Sequence, residues 1–186
     1  MDPAYLKVVL DANVLFPFTL RDTLLRAAAD GYFQVYWSDE ILDEARRNLV
    51  GSGTIAEEQA VRLVDAMSTA FPEAKVTGYE SIVPAMPNDE KDRHVAAAAV
   101  TAEAQLIVTN NLKDFRSLPE GIEACSPDDL LRRLYDLDPE GIVDILRHQS
   151  AALKTPPRSL EELVAGLAKL VPGFAAAVRT FLASPQ

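Results

Sequence analysis

One cysteine, Cys125, among 186 residues rules out an intrachain disulfide, and two histidines, His94 and His148, make no His–Cys cluster of the kind that holds zinc. No apolar run approaches the roughly 20 residues needed to span a bilayer. The first residues, Met1-Asp2-Pro3-Ala4-Tyr5, lack the basic stretch of a secretory signal. We therefore expect a cytoplasmic protein with no membrane partner. Basic charge is also scarce, with 18 Lys and Arg against 28 Asp and Glu and a net charge of −10. A protein whose affinity comes from coating phosphates needs the opposite balance. The deficit leaves open chemistry at a carboxylate cluster that collects a metal, and it suits a basic protein partner. Internal repeats and low-complexity tracts are absent.

What the chain does have is an alternation of short apolar runs and amphipathic segments. Tyr5 to Leu10 ends in Val8-Val9-Leu10 and then Asp11, without polar alternation. That predicts a strand buried on both faces of a parallel sheet. Thr19 to Asp30 reads as a helix with Leu20, Leu24, Leu25 and Ala28 on one face, stopped by Gly31. Phe33 to Trp37 predicts a second strand, and Ser38 caps a helix from Asp39 to Val50 that turns Ile41, Leu42, Ala45 and Leu49 inward. A helix from Ala56 to Ala70 follows, then a short third strand at Ala74 to Thr77 and a loop over 78–88. Asn88 and Asp89 open a helix with an alanine body and Asp92 in its first turn. Gln105 to Thr109 is the fourth strand and Ile122 to Cys125 the last, before a helix started by Ser126-Pro127. This alternation predicts a doubly wound α/β domain over residues 1–137. Strand signals then stop. Helix starts at Asp138-Pro139-Glu140, at the capping box Ser159-Leu160-Glu161-Glu162 and at Pro172-Gly173 predict a helical C-terminal extension over 138–186.

The polar residues fall at telling places on that frame. Asp11 ends the first strand, and Asn110 and Asn111 leave the end of the fourth. In a parallel sheet these ends share one edge, where open α/β sheets bind ligands. Asp92 starts the crossover helix from that same edge, Glu44 lies in the second turn after the second strand, and Asp114 sits in the loop after the fourth. Asp11, Glu44, Asp92 and Asp114 can therefore converge. Two unit charges about 4 Å apart repel by roughly 4 kcal/mol at an effective dielectric near 20. Either their pKa values rise or a metal neutralises them. Oxygen donors without Cys or clustered His favour Mg²⁺ or Mn²⁺, ions that also stabilise charge on a reacting phosphate.

Four pieces in order, Asp11-x-Asn13, Ser38-x-x-Ile41-Leu42-x-Glu44, Asp92-x-x-x-Ala96-Ala97-x-Ala99 and Val108-Thr109-x-Asn111-x-x-Asp114-Phe115, resemble the PIN-domain ribonucleases. Within these the chain is most similar to the VapC-type toxins of bacterial toxin–antitoxin pairs, over roughly residues 5–126. The resemblance implies a three-layer, PIN-like (Rossmann-like) parallel sheet flanked by helices. It also implies a Mg²⁺- or Mn²⁺-dependent endoribonuclease with RNA as substrate and a cognate antitoxin as partner. Carried over by position, the metal ligands are Asp11, Glu44 and Asp92, with Asn111 and Asp114 in the polar fourth position. Many family members carry Asp where this chain has Asn111. Asn13 and Thr109 are expected to hydrogen-bond the acids. Arg46, Arg47, Arg93, Lys113 and Arg116 are the candidates for phosphate binding at the mouth. Water attacking in line would leave a 5′-phosphate and a 3′-hydroxyl.

Plainer readings stand beside these. Asp92 can serve only a helix dipole, Glu44 can pair with Arg47 or Asn48, Asp89 can be a cap, and Asn111 with Asp114 can form an Asx-turn. Trp37 and the alanine run read as core, Cys125 as a small apolar residue. The alternative function is a catalytically weak PIN-like module that binds RNA or protein. A haloacid-dehalogenase-type phosphatase needs an acid where Asn13 stands and is set aside. The C-terminal helices are candidates to cover the sheet edge, build a homo-oligomer interface or widen the RNA surface.

Overall fold

Four short, aliphatic-rich segments build the sheet. The computed structural model describes residues 6–184, so Tyr5, the expected start of the first strand, lies outside the described residues. Strands β1 (Lys7–Leu10), β2 (Gln34–Tyr36), β3 (Leu106–Val108) and β4 (Glu123–Cys125) pair in parallel in the order β2-β1-β3-β4. Val8 stands opposite Val35 on one side and Leu106 on the other, and Val108 opposite Cys125. Val8, Val9, Leu10, Ile107 and Val108 are wholly buried, as strands covered on both faces require. The helices in chain order are α1 (Ala12–Leu15), α2 (Phe18–Ala29), α3 (Asp39–Gly51), α4 (Glu57–Ala70), α5 (Arg93–Thr101), α6 (Pro127–Leu137), α7 (Pro139–Ala152), α8 (Leu160–Leu167) and α9 (Pro172–Ala183). The fold is α/β with three layers, a parallel sheet flanked by helices, and a helical C-terminal region. Among the described residues no helix is long and apolar enough to cross a membrane.

The chain forms two compact units. The first comprises residues 1–16 and 33–125, the second residues 17–32 and 126–186. In the first, the chain leaves β1 toward β2 on one side and returns to β3 on the other. The ends of β1 and β3 therefore flank the point where strand order reverses, the usual ligand crevice of an open sheet. Helix α5 lies on β1 and β3, and Val95 to Ala99, all without exposed surface, let its backbone come close. Ser38 caps α3 by accepting from the Ile41 N–H at 3.2 Å. Trp37 is buried with its ring edge-on to Phe71.

Two local expectations change. Residues 74–77 make no strand: after a 3₁₀ turn at Pro72–Ala74, only Lys75 bridges to Trp37, held by Trp37 N–H to the Ala74 carbonyl and Val76 N–H to the Trp37 carbonyl. Gly78, at φ +80°, then turns the chain away. The segment 90–92 is a separate 3₁₀ turn, so Asp92 precedes α5 and is not in its first turn.

The second unit groups α2 with the C-terminal helices. Leu20 and Leu24 of α2 are buried, and α2 packs on α7 and α8. Thr23 Oγ1 donates to Gln149 Oε1 at 2.8 Å, and Gln149 Nε2 donates to the Thr19 carbonyl at 3.1 Å, an internal polar tie between α2 and α7. Asp128 of α6 caps α9, accepting from the Gly173 and Phe174 N–H groups at 3.1 and 2.8 Å.

Candidate active site

Asp11 follows the last residue of β1, and its own N–H still donates to the Val108 carbonyl of β3 at 3.0 Å. Its carboxylate is buried and both oxygens accept hydrogen bonds. Oδ1 accepts from the Ala12 N–H at 2.7 Å; Oδ2 accepts from Thr109 Oγ1 and Asn13 Nδ2, both at 2.7 Å. The capping role and a role at the strand edge therefore coexist in one side chain. Burial raises the Asp11 pKa and the nearby Glu44 adds to it, while the Thr109 and Ala12 hydrogen bonds pull the other way.

Thr109 and Asn13 both hydrogen-bond Asp11 and hold its carboxylate in place. Thr109, with no exposed surface, donates to Asp11 while its oxygen accepts from the Asn111 N–H at 3.0 Å. Asn13 Oδ1 accepts from the Asn110 N–H at 2.9 Å. These bonds join the loop after β1 to the loop after β3, so the crevice walls are held in register.

Asp92 shows no side-chain cap bond to α5 among the described residues, and a purely capping role for it finds no support. It is buried and its Oδ2 accepts no hydrogen bond among those residues; Asp114 Oδ2, also buried, has only the Lys91 ammonium beside it. Burial and the charge of Asp11, with Asp114 and Glu44 behind it, push the Asp92 carboxyl up to about 6 against the pull of Lys91. Asp114 is held in place by backbone bonds, its N–H to the Asn111 carbonyl and its carbonyl to the Asp89 N–H. The charges of Asp11, Asp114 and Glu44 all act on Asp92, and the Asp114 and Asp92 oxygens face the Lys91 ammonium at 3.0 Å and 3.9 Å.

Glu44 enters from α3, half-exposed, with Oε2 at 3.7 Å from His94 Nε2. The imidazole holds the Glu44 carboxyl below its usual range against partial burial. His94 is itself buried. Burial pulls its pKa down, but Glu44 and Glu40 outweigh that and leave it raised. Glu40 lies 3.8 Å from His94 Nδ1 and accepts from the Tyr79 hydroxyl. Sequence reasoning gave neither His94 nor Lys91 a role; their positions flanking Asp92 were the available signal.

The basic candidates divide. Arg46 is paired with Asp43 and Glu57, and Arg47 Nε donates to Asp43 at 2.9 Å, so the plainer reading of Glu44 as a partner of Arg47 finds no support. Arg93 Nε donates to the Asn88 carbonyl. Lys113 and Arg116 are exposed on the 3₁₀ turn Leu112–Phe115 and its end. Asp89 serves as a cap, accepting from the Lys91 N–H at 3.3 Å. Asn111 is half-buried and offers a carboxamide, not a carboxylate.

The donor set, oxygen-rich and carrying orphaned buried carboxylate oxygens, fits a hard divalent cation. Among the described residues no three His, Cys, Asp or Glu side chains are already gathered at ligand distance. The pieces are adjacent and the lysine stands between two of them.

Comparisons with known proteins bear on the family of the fold. A family model described as "PIN domain" matches residues 7–113, a span that includes Asp11, Glu44, Asp92 and Asn111. A second, described as "VapC50 C-terminal domain", matches residues 127–180, so the likeness continues into the helical segment, beyond the limit near residue 126 expected from sequence. A protein of Mycobacterium tuberculosis named "Putative ribonuclease VapC50" is 39% identical over 124 residues, covering 63% of this chain and 73% of the relative. No solved structure gives a significant match. With acids at the reversal point of a parallel sheet and a family match over more than half its length, the chain belongs to the PIN-domain family.

Proposed function

We propose that this protein is an endoribonuclease that hydrolyses RNA phosphodiester bonds with Mg²⁺ or Mn²⁺, acting as the toxin of a toxin–antitoxin pair. The observation that carries the reading is Asp92: a buried carboxylate with an orphaned oxygen, pushed up to about 6 by burial and by Asp11. A fold tolerates such a group where a cation is to be held. The VapC50 name of the relative supports the toxin role, and the net charge of −10 suits a basic antitoxin.

Asp11, Glu44, Asp92 and Asp114 would hold the ion, with Asn111 as a neutral member of the set. The ion supplies charge neutralisation at the phosphate and a more acidic water. Thr109 and Asn13 keep the Asp11 carboxylate from rotating. Lys113 and Arg116, exposed beside Asp114, would meet the RNA backbone, and Arg93 is a further candidate. Arg46 and Arg47 would first have to leave Asp43. Water attacks the phosphorus in line and the 3′-oxygen leaves, giving a 5′-phosphate and a 3′-hydroxyl.

The test is cleavage of a mixed RNA substrate with Mn²⁺ by wild type, Asp11→Asn and Asp92→Asn. We expect each variant to lose at least about 100-fold in rate, the loss typical of a removed electrostatic group at a reacting centre. Undiminished cleavage in both variants would refute the reading. Asn111 favours one other reading, a catalytically weak module that binds RNA or protein through the same surface. It predicts RNA binding without cleavage in wild type.

A further inference from the structure

The 3₁₀ turn Glu90–Asp92 carries a lysine between two acids, and the Asp89 cap on the Lys91 N–H fixes that turn beside the loop holding Asp114. The Lys91 ammonium lies 3.0 Å from Asp114 Oδ2 and 3.9 Å from Asp92 Oδ2. Both oxygens are buried, and apart from Lys91 neither has a hydrogen-bond partner among the described residues. A compact monovalent cation thus faces the two carboxylate oxygens that have no other partner. Its side chain is 62% exposed while both carboxylates are 10% exposed, so the acids are fixed and the cation is on a tether. An ammonium on a four-carbon stem can swing into solvent without disturbing the backbone.

We propose that Lys91 is a built-in counter-cation of the acid cluster, bridging Asp92 and Asp114 when no divalent ion is bound and yielding its place when one enters. This rests on the reading that the cluster takes a divalent ion. Lys91 has two opposed effects. It lowers repulsion in the empty site, and it competes with the incoming ion for Asp92 and Asp114. Divalent-ion affinity is therefore set by a residue that is not itself a ligand. The displaced ammonium is left at the rim of the crevice, an added positive charge on the side from which a phosphate approaches.

The experiment measures Mn²⁺ binding by loss of the free-ion electron paramagnetic resonance signal, with thermal unfolding in chelator and in Mn²⁺, for wild type, Lys91→Met and Lys91→Arg. Lys91→Met should bind Mn²⁺ about two- to fivefold more tightly, the range of an exposed ion pair. It should also melt at lower temperature in chelator and gain more from Mn²⁺; Lys91→Arg should stay near wild type in all three. A second measurement needs no variant: in wild type, amine acylation of Lys91 read by peptide mass should quicken on adding Mn²⁺, relative to Lys113. Unchanged or weaker binding in Lys91→Met, or acylation of Lys91 indifferent to Mn²⁺, would overturn the counter-cation role while leaving the metal reading intact. Absence of Mn²⁺ binding in wild type would overturn both.

Discussion

A carboxylate buried beside other carboxylates makes function and stability pull apart at a single residue. Asp92 titrates near its ordinary 3.8 in the unfolded chain and at about 6 in the fold. Between those values the folded form binds the extra proton, so stability declines as pH rises through roughly 4 to 6 and stays reduced above it. The deficit at neutral pH is about 1–3 kcal/mol. In chelator, Asp92→Asn should therefore melt higher than wild type at pH 7, and the gap should close by pH 4. Glu44, Asp43 and Asp138, held below their ordinary values, act with the opposite sign as pH falls, so only the difference between the two proteins isolates Asp92. With Mn²⁺ the order should reverse, because the variant forgoes the ion. Melting curves at four or five pH values decide it, and a variant no more stable than wild type at pH 7 would refute the account. That Asp11, Glu44, Asp92 and Asp114 lie near one another was legible in the sequence, because parallel strand ends and the helices beside them share one sheet edge. Lys91 was not legible: its contact with Asp114 needs two loops, 23 positions apart, to meet.

At the scale of elements, the helix starts carry much of the local information. Asp138 opens α7 with both oxygens in use: Oδ1 accepts from the Gly141 N–H at 2.9 Å and Oδ2 from the Tyr32 hydroxyl at 2.7 Å. A Cβ on Gly141 would collide with the Tyr32 hydroxyl and the Asp138 carboxylate. Alanine there would gain up to about 1 kcal/mol of helix propensity yet disrupt a cap worth about 1 kcal/mol and the bond to Tyr32. We expect Gly141→Ala to destabilise by about 1 kcal/mol or more. Gly166 in α8 has open space where its Cβ would go, so Gly166→Ala should stabilise by up to about 1 kcal/mol. Chemical denaturation of the two variants separates cap geometry from propensity; equal effects would refute the difference. Caps at Ser38, Ser126, Asp138 and Ser159 were readable because each is a contact within three residues. Residues 74–77 misread as a strand because their composition suits one, while the 3₁₀ turn before and Gly78 after leave room for one bridge. The 3₁₀ turn at Asp92 escaped because an Asp-rich helix start looks the same in sequence either way.

On the scale of the whole chain, order in sequence and compactness in space divide the protein differently. The family models match successive segments, 7–113 and 127–180, and the change of composition at residue 137 suggests the same linear division. The compact units interleave instead, with residues 17–32 grouped with 126–186. Sequence could not show this, because the apolar stripe of α2 says that a face is buried and not against what. The difference has a consequence for truncation. Removing 138–186 deletes α7 and α8, the neighbours of α2, and α7 and α9, the neighbours of α6. Leu20, Leu24, Leu130, Leu131 and Leu134, all at most 2% exposed in the intact chain, would lose that cover. Each such leucine contributes about 1.5–3 kcal/mol when buried, and five together rival the roughly 5–15 kcal/mol that stabilises a whole domain. The fragment 1–137 should therefore aggregate or lose cooperative melting, though it retains every acid of the site. Size-exclusion chromatography and circular-dichroism melting of the fragment test this. A soluble monomer that melts cooperatively would mean that the α/β domain ends at residue 137 after all, with α2 and α6 able to do without the C-terminal helices.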